Sequence, residues 1–179
     1  SVNNLRAIDD GAKAKAASLK YTKNFFKGNA ETNPKEFSGL ENRLTGAQVI
    51  DQGATAGGDA LTLPKLDEMI DQVIGGADVL FMNKTMRINL NYLLILNKAL
   101  NETVSDAFGR QINAYAGIPI GLIEEDDEGN EILAFDEECP GGGADEGTSI
   151  YACRIGFEHL SGIQNGDLDV EDLGLVETF

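Results

Sequence analysis

The feature that most constrains the fold is a helical period that stops at a marked point. Leu5, Ile8, Ala12, Ala16, Leu19 and Phe26 recur at steps of three, four or seven, while Lys13, Lys15, Lys20 and Lys23 fall mostly off that stripe. The spacing predicts one long amphipathic helix. It should end near Lys27-Gly28, because glycine accepts the left-handed conformation that closes a helix and a lysine suits the helix's negative end. Asn33-Pro34 then forces turn or extended geometry, since the proline ring disfavours an α conformation at Asn33. Phe37 and Leu40 follow as apolar anchors in an otherwise polar stretch. Residues 25–43, FFKGNAETNPKEFSGLENR, thus read as an anchored junction between structural units. In it Asn33 and Pro34 would fix the bend, Phe37 and Leu40 would pack it, and Arg43 would pair with an acid.

Beyond the junction the pattern shortens. Gly46 to Gly58, rich in small residues, suggests a strand edge and a flexible loop. Leu66, Met69, Ile70 and Val73 form the apolar face of a helix with Thr62 or Leu63 near its cap, Pro64 in its first turn and Gly75-Gly76 at its end. Asp78 to Asn83 is an apolar run suited to one buried strand. A second helix from about Thr85 to Leu100 is apolar almost all round, which predicts burial or sharing with another subunit. Strands are then expected at Gln111 to Tyr115, Ile118 to Ile123, Glu131 to Phe135 and Ser149 to Phe157, with a weaker one at Leu168 to Val176. Glu124 to Asn130 would be a hairpin tip. The sum is an α+β fold: a long helix, two shorter helices and a mixed, mainly antiparallel sheet.

Charge is unevenly spread. Residues 1–44 carry eight Lys/Arg against five Asp/Glu, whereas residues 111–179 carry one against seventeen. So acidic a C-terminal third argues against a phosphate-binding surface there, which needs clustered cations. It reads most simply as a solvated surface that keeps particles apart. At 179 residues the chain can bury a real core, and no apolar run approaches the roughly 20 residues that cross a bilayer. A soluble protein is expected.

The residue inventory offers little for catalysis. His159 is the single histidine, and nothing in the sequence sets Cys139, Cys153 or a serine against it. Two cysteines make neither a zinc site nor a disulfide framework, and free thiols are the default. Gly53 to Gly58 lacks the Gly-Lys-Ser/Thr ending of a phosphate loop. The acids from Glu124 to Glu128 do not follow the spacing of an EF-hand, so a solvated, self-repelling tip is the plainer reading. Hence no catalytic residue, cofactor or metal ligand is expected, and the chain is read as non-enzymatic.

Taken in order, KGNAETNPKEFSGLENRL, LPKLDEMID, VLFMNKTMRINL, GRQINAYAGIPIGLIEEDDEGNEIL, SIYACRIGFEHLSGIQNG and VEDLGL resemble the tailed-phage (prophage) major capsid proteins of the Hong Kong 97 fold. Each segment alone is a weak signal, and their order over nearly the whole chain carries the resemblance. It implies a structural subunit that self-assembles into capsomers and an icosahedral shell around viral DNA, formed in the bacterial host cytoplasm. Residues 1–44 would then be spine helix and junction of the peripheral domain, and residues 45–179 mostly axial domain. The implied partners are further copies of the chain, a scaffolding protein and packaged DNA held by weak sequence-independent contact, with no membrane. The resemblance also implies a core piece of a longer subunit, since the family's N-terminal arm and final peripheral strand have no counterpart in these residues. Three alternatives stand beside it: a bacterial nanocompartment shell, which shares the fold, an acidic non-enzymatic binding module, and, last, a small hydrolase using clustered acids.

Overall fold

The computed structural model describes residues 2–53, 56–99, 102–139, 141–143 and 146–163. The long helix is present as α1, Val2–Lys27. It ends where its sequence says it should: the Gly28 N–H still bonds back to the Asn24 carbonyl, at 3.0 Å. A four-residue helix, α2 (Leu40–Arg43), and a 3-10 turn at Gly46–Gln48 follow. Then come α3 (Leu63–Gln72), β1 (Val79–Met82) and α4 (Lys84–Leu96). The chain continues through β2 (Glu102–Ser105), β3 (Gln111–Tyr115), β4 (Ile118–Leu122) and β5 (Tyr151–Cys153). The strands form one sheet in the order β2-β3-β4-β1-β5. Only β1 and β4 run parallel, with Leu80 opposite Ile120; the other three pairings are antiparallel. The molecule is α+β with a mixed sheet, and no described helix is long and apolar enough to cross a membrane.

The strand period of two organises the core around β1. Leu80 and Met82 face one way, into a cluster with Leu66 of α3, Met86, Leu90 and Leu94 of α4, Tyr115 and Ile120. Val79 and Phe81 face the other way, against Phe26, Leu40, Ile132, Leu133, Tyr151 and Cys153. One short strand therefore serves two hydrophobic layers, and the second layer is what seats the end of α1 on the sheet. Phe81 lies over Gly121 of β4, where a Cβ would come within 2.7 Å of its ring. Asn83 links the layers: its Oδ1 accepts from the Met86 N–H at 2.7 Å, capping α4, while its Nδ2 donates to the Leu133 carbonyl at 2.8 Å.

Several expectations are corrected. Gly46 to Gly58 contains no strand among its described residues; Gly46, Gly53, Gly57 and Gly58 all take positive φ, which breaks extended pairing. Glu131 to Phe135 is not a strand either, because Ile132 and Leu133 are both buried, and neighbouring strand residues cannot point to one face. The Ser149 to Phe157 strand shrinks to Tyr151–Cys153. Helix α4 stops at Leu96, since the Asn97 side chain donates to the Leu93 carbonyl and Lys98 turns left-handed at φ 55°. Nor is α4 buried all round: Met86, Leu90 and Leu94 face the core, but Ile88, Tyr92, Ile95 and Leu96 are exposed. Strand β2 was not anticipated, and the expected strand at Leu168 to Val176 lies outside the described residues.

Candidate functional site: the junction and its polar cleft

The junction is a compact doubled-back turn. The Asn33 N–H bonds to the Asn29 carbonyl and the Glu36 N–H to that of Asn33, both at 2.9 Å. Asn33 Nδ2 donates to Glu36 Oε1 at 2.7 Å, so Asn33 holds the bend on both sides of Pro34. The chain then returns to touch the end of α1. The Gly39 N–H reaches the Gly28 carbonyl at 2.8 Å, and Asn42 Nδ2 donates to the same oxygen. A Cβ at Gly39 would sit 2.6 Å from the carbonyl oxygens of Asn24 and Phe26, so close backbone approach accounts for the glycine.

The two apolar anchors behave differently. Leu40 is buried in the second core layer. Phe37 stays largely exposed, its ring 5.6 Å from that of Tyr21 on the outside of α1. Arg43 is exposed and has no acid partner among the described residues. The nearby acids are taken by Lys27, which extends from the last turn of α1 to Glu41 at 3.2 Å and to Glu137 at 2.5 Å. Burial pulls the Lys27 ammonium down, but the hydrogen bond to Glu137 and the charges of Glu137 and Glu41 outweigh it and hold its pKa above the usual lysine value.

One turn earlier, Lys23 Nζ lies 2.7 Å from Asp126 Oδ2. Asp126 belongs to the stretch expected to be a solvated tip, and here the structure differs. The carboxylate is buried, and its Oδ1 accepts from the N–H groups of Glu128 and Asn130 at 2.9 and 2.8 Å. The Lys23 hydrogen bond and then the Asn130 and Glu128 N–H groups hold the Asp126 carboxyl far below the usual carboxylate range. The turn does reverse the chain, with Glu125 bridged to Glu131 in antiparallel fashion. Its readable signal was the spacing Asp126-x-x-Gly129-Asn130, in which an aspartate wraps its own backbone and glycine takes the positive φ. The same device recurs at Asp106-x-x-Gly109-Arg110, where Asp106 Oδ1 accepts from the N–H groups of Phe108 and Arg110. That second copy makes the β2–β3 hairpin.

Together these groups line an open polar cleft of about 820 Å³ between α1 and the loops that follow β4. Lys23, Lys27, Glu41, Asp126, Glu131 and Glu137 contribute to its walls. No cluster of three or more His, Cys, Asp or Glu among the described residues has the arrangement to hold a metal ion. The cleft fastens α1 to the body of the molecule. His159 is exposed on a loop, and Cys139 and Cys153 are buried free thiols, the latter pushed up to about 11 by burial. No family model, no curated relative and no solved structure matches this chain.

Proposed function

We propose that the chain is a structural coat subunit that self-associates into capsomers and a closed icosahedral shell around viral DNA, in the manner of the tailed-phage major capsid proteins it resembles. The observation that carries the proposal is the form of α1. Among its described residues only those of the last turns are seated on the body, Phe26 against the sheet and Lys23 and Lys27 on the loops that follow β4, while Leu5 and Ile8 stand 69% and 64% exposed along an apolar stripe. An amphipathic helix with an open apolar stripe has a surface that another molecule can complete. The anchored junction at Asn33, Pro34, Phe37 and Leu40 fixes the direction in which that helix leaves the body. A spine held at a set angle suits a lattice of repeated contacts with closed symmetry.

The test is electron microscopy of the intact protein that carries these residues, purified and concentrated. Uniform closed shells support the proposal; a persistent monomer overturns it. A nanocompartment shell of the same fold would be told apart by its contents, since shells filled with protein and free of nucleic acid would favour that variant.

A further inference from the structure

Two apolar features lie at opposite edges of the sheet, and each has the shape of half a contact. The first is a knob. After β5 the chain makes a tight loop, in which the Gly156 N–H bonds to the Leu160 carbonyl and the Leu160 N–H to that of Arg154. The loop is pinned to the body by Ile155 N–H on Asp78 Oδ2 at 2.9 Å and Arg154 Nη1 on the Ile74 carbonyl at 3.0 Å. At its tip Phe157 is 98% exposed. A flexible tail would explain a bare phenylalanine by having nothing to bury it; a loop this well tied presents it in a fixed place.

The second feature is a hole. Leu63 of α3, Leu94 and Ala99 at the end of α4, Glu102 of β2, and Ala114, Tyr115 and Ala116 of β3 and its turn line an apolar cleft of about 410 Å³. That is room for an aromatic side chain. The acid in its wall, Glu102, is engaged by the Gly117 N–H at 2.7 Å, and Tyr115 O–H donates to Asp67. Exposed Ile95 and Leu96 extend the apolar surface outside it.

Placement and charge match the two. Knob and hole lie at the same end of the sheet, because Val79 at the start of β1 pairs with Cys153 and the Ala116-Gly117 turn starts β4, parallel to β1. They sit on opposite lateral edges, four strand spacings or roughly 19 Å apart, too far to meet within one chain. Glu158 stands exposed beside the knob, and Lys98, left-handed and exposed, stands beside the hole. Among the described residues neither has an ion-pair partner.

We infer that Phe157 of one copy seats in the cleft between α3, α4 and the β2–β3 hairpin of a second copy, with Glu158 meeting Lys98. This rests on the self-associating reading above and names its surface. The contact is heterologous, since different patches meet, so repetition builds a ring or an open row of subunits side by side along the sheet edges.

Cysteine pairing tests it directly. Glu158→Cys and Ala99→Cys variants of the full chain, both keeping Phe157, mixed under mild oxidation, should crosslink to each other, while neither does so alone; the native thiols are buried. Phe157→Ala should weaken association about tenfold or more, as removal of an aromatic anchor does. Glu158→Lys and Lys98→Glu should each weaken it, and the double reversal should restore it. Shells that form without the mixed crosslink and tolerate Phe157→Ala overturn this inference and leave the coat reading standing. A mixed crosslink in rings or rows that never build a closed shell supports the inference and overturns the coat reading. An intact wild-type protein that stays monomeric, with cysteine variants that stay uncrosslinked, overturns both.

Discussion

Phe26→Ala should cost about 4 kcal/mol of stability, most of it by unseating α1. Phe26 is 1% exposed, and its ring centroid lies 5.0, 5.4 and 5.3 Å from those of Phe25, Phe81 and Tyr151. Transfer of a fully enclosed phenylalanine side chain contributes about 2–3 kcal/mol. The space left behind adds about 24 cal/mol per Å³ that the neighbours fail to fill, so a residual cavity of about 50 Å³ adds about 1.2 kcal/mol. Lost ring pairing contributes about another 0.5 kcal/mol. The total falls inside the range of about 3–5 kcal/mol for such truncations. In urea, with a slope of about 2 kcal/mol per molar, the unfolding midpoint should drop by about 2 M. Leu5→Ala, on the same helix but exposed, should shift stability by less than about 0.5 kcal/mol. A Phe26→Ala midpoint within about 0.5 M of wild type would show that the second core layer does not hold α1, and the reasoning would fail.

Further outcomes can be measured with the same chain. Asn83→Ala should lose about 2–3 kcal/mol in urea unfolding, because it removes the α4 cap and leaves the buried Leu133 carbonyl without that donor. Because the Asp126 pKa is lowered on folding, its stabilisation is full above the unfolded value of about 4 and is lost as pH falls below it. Asp126→Asn should therefore be less stable than wild type at pH 6, with the gap narrowing below about pH 4; a gap that widens in acid would refute the pairing with Lys23. Cys153, at about 11 and buried, should resist alkylation in the native chain at pH 8 and react at once in urea, as followed by mass spectrometry. Gly39→Ala should destabilise measurably in thermal melts, since its Cβ would meet two carbonyl oxygens.

Local periodicity and its punctuation were the legible part of the sequence. Helix α1, with its stop at Gly28, and α3, with Pro64 in its first turn, follow from spacing and caps that act within a few residues. Strands β1, β3 and β4 were legible for the same reason. What the sequence hid depends on partners far along the chain. Glu131 to Phe135 has strand-like composition, yet Ile132 and Leu133 are both drawn into the layer around Phe26, and that pull overrides local preference. Strand β2 is four residues with little apolar content and exists because the Asp106 turn folds it onto β3. At the candidate site, the bend at Asn33-Pro34 and the burial of Leu40 could be read locally. The roles of Lys23, Lys27, Asp126 and Glu137 could not, because charge density marks acids as exposed until a lysine from another segment is placed beside one of them.

The two lysines also set an order of events. Lys23 and Lys27 meet partners 103 and 110 residues further along the chain, and Phe26 packs on Tyr151 of β5. During synthesis α1 leaves the ribosome before the strands do, yet its berth does not exist until β5 has been made and laid against β1. The helix must form early and wait. Helix α1 therefore reaches its fixed angle to the sheet only when nearly all of the described sheet is complete, so that angle itself reports that folding has finished.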